Sequence, residues 1–308
     1  MASFSAEVKD ELLHVPIEKE CCRQAALTAL FRMGATISLG SNRNFGITFA
    51  SNTAAVTRKT FALLKAEDAD LPIKTSVARA NRLKKRNSYI VKIEKSLAAF
   101  NLLEKLGFIK DGQLNMADDH GILRKECCRR AYLMGAFLGG GSVNRPEAHY
   151  HLEIANADRK TAQCILQTLR KMEFPAGMYE RKDDFVVYIK EGDSVIDFFA
   201  MIKADNSVEK FEVARNIKEV RGQVNRIVNC ETANVQKAVN AAGNQLAAIK
   251  KITAAGLMGG LSADLKETAA ARIKNPEASL SELAEMLYIS KSGLNHRMRK
   301  LTALSHNL

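Results

Sequence analysis

The chain has 308 residues, of which 46% are hydrophobic and 26% charged. It is long enough for two or three domains, and too apolar to be a disordered chain. Lysine and arginine outnumber aspartate and glutamate by 46 to 34, a net charge of +12, so polyanions are the partners to expect and nucleic acid leads them.

The most apolar stretch, Ala131–Val143, is 13 residues long and rich in glycine. A membrane-spanning helix needs about 20 apolar residues, so none is expected. Met1–Asp10 has no basic segment followed by an apolar run, so no signal peptide is expected and the chain is assigned to the cytoplasm. Residues 1–19 read as a helical lead-in to the first strong pattern.

That pattern is Glu20–Gly34, ECCRQAALTALFRMG. It returns 106 residues later as Glu126–Gly140, ECCRRAYLMGAFLGG, with eight of fifteen positions identical. After the first copy come an alternating segment at Asn44–Ala50, a helical one at Val56–Lys65, alternating ones at Lys74–Arg79 and Tyr89–Glu94, and a helix at Leu97–Leu106. After the second come Ala148–Ala155, Arg159–Met172, Gly177–Arg181 with Phe185–Lys190, and Ser194–Ile202. The order α-β-β-α-β-β-α, written twice, covers residues 20–203, and a period this long marks a pseudo-symmetric domain rather than a solenoid.

In the second copy a helix expected over Arg130–Gly141 carries Gly135, Ala136, Gly139 and Gly140 at i, i+1, i+4 and i+5. A glycine inside a helix costs about 1 kcal/mol relative to alanine, so these need a packing reason. Close approach to the duplicated helix, Ala25–Ala35 with Ala26, Ala29 and Gly34, supplies one. The six cysteines, at 21, 22, 127, 128, 164 and 230, form no Cys-x-x-Cys and have no histidine at ligand spacing. They read as small packing residues, with no metal site or cofactor expected.

Charge is unevenly spread. Lys74–Lys95 holds eight basic residues and one glutamate, and Arg82, Lys84, Lys85 and Arg86 fall at a hairpin tip suited to phosphates. The matching tip of the second copy, Arg181–Asp184, is neutral, which argues against a symmetric grip on a polyanion. From Arg215 onward there are 14 basic and 7 acidic residues.

Beyond residue 213, Arg221–Asn234 leads into a helical stretch. Its Val235, Val239, Ala242, Leu246 and Ile249 follow one face, and Gly256, Gly259 and Gly260 break it. Residues 214–260 read as a helical linker. Asp264–Lys274 is then a helix ended by Asn275–Pro276. Ser279 with Glu282 forms a capping box, and Leu280, Leu283, Ala284 and Leu287 give an apolar face. A turn at Tyr288–Ile289 reaches Ser290, which caps a third helix, Lys291–Leu301. This is the helix-turn-helix layout, over residues 261–308. On the third helix Leu294, Met298 and Leu301 form the buried stripe. Ser292, Asn295, His296 and Arg299 are placed to read base edges of double-stranded DNA, and Lys291, Arg297 and Lys300 to meet phosphates.

Leu133–Gly141, LMGAFLGGG, resembles the LAGLIDADG motif of homing endonucleases, and Leu27–Ala35, LTALFRMGA, resembles its partner copy. The resemblance implies an α+β fold over residues 20–213, with repeats at about 20–110 and 126–213. Two motif helices would form its interface and two sheets a saddle over DNA. It also implies one acidic metal ligand near the end of each motif helix. Those positions fall here on Gly34 and Gly140, and the neighbouring Arg32 and Leu138 offer no carboxylate either, so the fold is expected without the nuclease chemistry. With Val224–Asn234, VNRIVNCETAN, and Ser290–Leu301, SKSGLNHRMRKL, nearly the whole chain resembles the WhiA family. That resemblance implies a non-enzymatic, nucleoid-associated transcription regulator tied to cell division, chromosome segregation and, in sporulating relatives, sporulation. Two alternatives stay open: a residually active endonuclease, and a saddle that holds another regulatory protein.

Overall fold

The computed structural model describes residues 3–40, 44–79, 87–110, 112–115 and 121–306. They divide into two compact units, residues 1–218 and 219–308.

The first unit opens with α1 (Phe4–Leu13), capped by the Ser3 hydroxyl, which accepts from the Ala6 amide. Its Phe4, Val8 and Leu12 are buried in the core of the unit. Next comes α2 (Glu20–Gly34), which passes without a loop into β1 (Ala35–Leu39), followed by β2 (Phe45–Ser51), α3 (Ala54–Glu67), β3 (Ile73–Ala78), β4 (Ser88–Ser96) and α4 (Leu97–Lys105). A two-stranded ribbon, β5 (Ile109–Lys110) with β6 (Gln113–Leu114), separates the copies. The second copy repeats the first: α5 (Glu126–Gly140), β7 (Gly141–Val143), β8 (Leu152–Asn156), α6 (Arg159–Lys171), β9 (Gly177–Arg181), β10 (Asp184–Ile189) and α7 (Gly192–Met201). Both sheets are antiparallel and share one strand order, β1-β2-β4-β3 and β7-β8-β10-β9.

The core alternates as a half-buried sheet requires. Ile47, Phe49, Val91 and Ile93 point inward from the first sheet, and Leu152, Ile154, Val187 and Ile189 from the second. Between the two sheets' helices, α2 and α5 make the most extensive contact among the described residues. The glycines explain how. A Cβ on Gly135 would lie 2.5 Å from the Ala26 carbonyl oxygen and 3.0 Å from the Ala29 methyl, and one on Gly139 would lie 2.5 Å from Met33 Cβ. Gly34 departs from the sequence reading: it faces its own sheet, against the Ala50 carbonyl and the Phe49 ring, and not α5.

Two elements are placed differently from the sequence reading. The second motif helix begins at Glu126 and ends at Gly140, with Gly141 already in β7, and each motif helix feeds an edge strand (β1, β7) that periodicity did not single out. The segment at 148–151 is not strand; β8 begins at Leu152.

The stretch read as a helical linker from residue 214 begins within a longer helix. Helix α8 (Asp205–Ala254) runs through that boundary. At its start the Glu11 carboxylate accepts from the Asn206 amide at 2.7 Å and the Ser207 hydroxyl at 2.6 Å, the role an acidic group plays at a helix N-terminus. Of its expected apolar stripe only the later part is covered. Ala242 and Ile249 are buried, whereas Val235 and Val239 are 63% and 59% exposed.

After α8, Gly256 takes the left-handed conformation that ends the helix, with φ of +71°, and a short 3₁₀ turn spans Leu257–Gly260. Then come α9 (Ala263–Lys274), α10 (Leu280–Met286) and α11 (Lys291–His306). Ile249 and Ile252 of α8 pack with Leu265, Ala269, Leu283, Ala284, Leu294, Met298 and Leu301 into the core of the second unit.

Candidate nucleic-acid interface

The helix-turn-helix is fixed by local chemistry the sequence advertises. The Ser279 hydroxyl accepts from the Glu282 amide at 3.2 Å while Glu282 Oε2 accepts from the Ser279 amide at 2.7 Å, a complete capping box. That bonding holds the Glu282 carboxyl below its ordinary value. The turn passes through Tyr288, at φ of +54° and 97% exposed, so it adopts a conformation side chains normally avoid and hides none of its ring. Ser290 then caps α11 by accepting from the Gly293 amide at 3.1 Å. Beneath the motif, the Arg272 side chain is buried, and its guanidinium donates to the Ala278 carbonyl and braces the α9–α10 connection.

At about 100° per residue, Ser292, His296 and Arg299 fall within one narrow stripe of α11. All three are exposed, with Asn295 half-buried beside them and Lys291 and Lys300 exposed at the edges. Leu294, Met298 and Leu301 are buried on the opposite side. Arg297 departs from the expectation of a phosphate contact. It projects from the buried side near Leu301, its side chain is 22% exposed, and it pairs with Asp264 at 3.2 Å and Glu267 at 3.8 Å on α9. There it braces the motif.

The two sheets present outer faces of different chemistry. Cross-strand partners share a face. In the first sheet Thr36 pairs Thr48, Thr48 pairs Lys92 and Lys92 pairs Lys74, which gives a polar, basic row. Lys74 also holds Glu94 at 2.7 Å. Arg82, Lys84, Lys85 and Arg86 lie outside the described residues.

In the second sheet the equivalent row is Ser142, Glu153, Tyr188 and Gly177. Glu153 is its centre. It accepts from the Tyr179 hydroxyl at 2.7 Å, lies 2.7 Å from His151 Nε2, and pairs with Arg181 at 3.0 Å. Burial pushes its carboxyl up, but these partners outweigh it and leave the group below its ordinary value. Gly177 makes room for the Tyr188 ring, since a Cβ there would sit 2.5 Å from the ring. Nothing in the sequence pattern pointed to this network.

Near the motif-helix ends the residues present do not fit catalytic divalent metals. Gly34 and Gly140 carry no oxygen ligand, and a hard cation takes several. A side chain at Gly140 would also run into Met33 Cε and the Ala155 carbonyl. Arg32 lies over the Phe108 ring, 4.3 Å from its centroid, and Asn156 Nδ2 donates to the Arg32 carbonyl at 3.1 Å. The surroundings are packed, and the cation of Arg32 stands among them.

At the opposite end of the same helices the sequence reading missed a constellation. The sulfurs of Cys21, Cys22, Cys127 and Cys128 all lie within 4.8 Å of one another. Spacing within either pair could not show it. The duplication, which superposes the pairs, carried the signal.

A LAGLIDADG-like unit of two matched sheets, followed by a helix-turn-helix unit, defines the class of this protein. Residues 20–109 match the WhiA N-terminal LAGLIDADG-like domain, residues 129–221 the WhiA LAGLIDADG-like domain and residues 224–305 the WhiA C-terminal HTH domain. The chain is 42% identical to "Probable cell division protein WhiA" of Desulforamulus reducens, over 99% of this chain and 96% of that protein. It is 38% identical to the protein of the same description from Bacillus licheniformis, over 99% and 97%. The crystal structure of full-length DUF199/WhiA from Thermatoga maritima overlays 100% of this chain and 99% of its own at a TM-score of 0.60 and 25% identity. The chain belongs to the WhiA family.

Proposed function

We propose that this protein is a non-enzymatic regulator of transcription that binds double-stranded DNA and serves cell division, chromosome segregation and, in sporulating relatives, sporulation. The observation that carries the reading is the outward stripe of α11. Ser292, Asn295, His296 and Arg299 all offer hydrogen-bonding groups suited to base edges, on a helix whose opposite side is locked into a core. Lys291 and Lys300 flank the stripe for phosphates. Lys74 and Lys92, with the basic segment at 82–86, would hold the backbone from the first sheet, and binding of this kind places the protein on the nucleoid.

The test is salt-titrated binding to a duplex selected from the host genome and to a scrambled one. Arg299→Ala should lower the ratio of specific to scrambled affinity by about 1–3 kcal/mol and relax preference at one position. An unchanged ratio would remove α11 as the reader. The same protein with Mg²⁺ or Mn²⁺ should leave DNA uncut; chelator-sensitive double-strand cleavage would restore an endonuclease reading. A second reading, in which the saddle holds a protein, is favoured by the second sheet, whose tyrosine-lined face carries a carboxylate already paired with Arg181 where the first sheet has its row of lysines.

A further inference from the structure

The DNA contacts proposed above use none of the four clustered cysteines. Cys21 and Cys22 occupy the second and third positions of α2, and Cys127 and Cys128 the same positions of α5. Neither helix has a side-chain cap; Lys19 and Lys125 stand at the N-cap positions. Two helix N-termini, each with a partial positive charge, therefore meet around four thiols. Cys22 and Cys128 are buried and Cys21 and Cys127 half-buried, so the group sits at the rim of the core with a way in from solvent. It is the one group of three or more possible metal ligands among the described residues.

From this geometry we infer that Cys21, Cys22, Cys127 and Cys128 bind one zinc ion as a tetrahedral four-thiolate site that clips the two repeats together. Four sulfurs each about 2.3 Å from one ion lie about 3.8 Å apart, so sulfurs already within 4.8 Å need to close by about 1 Å or less. An all-sulfur set selects a soft or borderline ion and refuses magnesium or calcium. An iron–sulfur cluster would spread its ligands around inorganic sulfide, which this close group does not allow. Each thiol gives up its proton to solvent on binding, no electron is transferred, and the site carries a net charge of −2. The two helix N-termini, Lys19 and Lys125 offset that charge.

The site is structural. All four positions are protein ligands, which leaves none open for substrate. It lies about 20 Å along the helices from Gly34 and Gly140. The α2–α5 crossing would thus be tied by metal at one end and by interlocking small residues along its length.

The test is made on the full-length chain, purified under reducing conditions from zinc-supplemented cells. Elemental analysis should find about one zinc per chain. Cobalt added to chelator-stripped protein should give intense visible bands of tetrahedral cobalt together with thiolate-to-cobalt charge transfer in the near ultraviolet. Cys21→Ser and Cys128→Ser should lose zinc, and Cys230→Ser should keep it. If the serine variants fail to fold, the cobalt spectrum of the unaltered chain decides alone. The proposal is overturned by wild-type protein that carries no zinc and gives no thiolate–cobalt bands. It is equally overturned by a disulfide among these residues in protein alkylated directly from cells, or by full zinc occupancy in the Cys21→Ser, Cys128→Ser double variant.

Discussion

The two sheets of the first unit share strand order, register and helix placement, yet their outer faces have diverged. At matched positions the first carries Thr48, Lys92 and Lys74, and the second Glu153, Tyr188 and Gly177. The buried faces have kept one chemistry because both must fill the same core, and a core tolerates little change in volume. The outer faces are under no such constraint, so duplication preserved a scaffold and left each half free to take a separate partner. A pseudo-twofold axis in the backbone therefore says nothing about a twofold axis in binding.

The sharpest way to break this comparison is to neutralise each half in turn. Lys84, Lys85 and Arg86 changed together to Ala, in the segment between β3 and β4, should weaken binding to specific and scrambled DNA alike. The loss should be on the order of a hundredfold at moderate salt, with a salt slope shallower by about 0.9 for each phosphate contact removed. Lys182→Ala, in the matching connection between β9 and β10, should leave both the affinity and the slope where they were. Equal losses from the two would mean that both halves grip DNA.

Within the scaffold the symmetry is also incomplete, and thermal melts can measure by how much. Gly135→Ala puts a methyl 2.5 Å from a backbone carbonyl of the other motif helix, whereas Gly34→Ala puts one 3.0 Å from a carbonyl of its own sheet. The first should cost about 1–3 kcal/mol. The second should be near neutral, since alanine recovers about 1 kcal/mol of helix propensity. Matching losses would mean that the Ala50 carbonyl and the Phe49 ring cannot give way to a methyl at Gly34.

Glu153→Gln probes the second face alone. Because the folded-state carboxyl lies below its ordinary value, its contribution is present at neutral pH and is lost as pH falls through the folded-state value. The variant should be less stable than the parent by about 1–2 kcal/mol at pH 7, with the gap closing under acid as pH drops below 4.5, the ordinary carboxylate value. A pH-independent difference would mean that the network is held by shape rather than charge. The smallest effect belongs to α11. Arg297→Ala, which removes a partly exposed ion pair, should cost at most about 1 kcal/mol of stability and leave the salt slope of DNA binding unchanged. A shallower slope would return Arg297 to the phosphate-binding set.

Much of this molecule was legible in its sequence, wherever the deciding interactions are local or periodic. The Ser279–Glu282 capping box, the Ser290 cap and the α11 stripes follow from spacings of three and four residues, because a helix brings such neighbours together whatever surrounds it. The small residues of α5 announced a close helix crossing, and the repeat announced two matched halves. Tertiary structure alone decided the rest. The repeated order called for two strands after each motif helix, but only the second was located, because each motif helix runs straight into its edge strand, β1 or β7, with no turn residue between to mark the change. Arg297 was assigned outward by its charge, and only the packing of α9 beside α11 supplies Asp264 and Glu267 to hold it. Glu153 gathers partners from positions 151, 179 and 181, across strands whose register is a property of the whole sheet. The four cysteines lie 106 residues apart in two pairs, and they meet because the two motif helices cross with their N-termini together. Neither pair contains the information that the other will arrive.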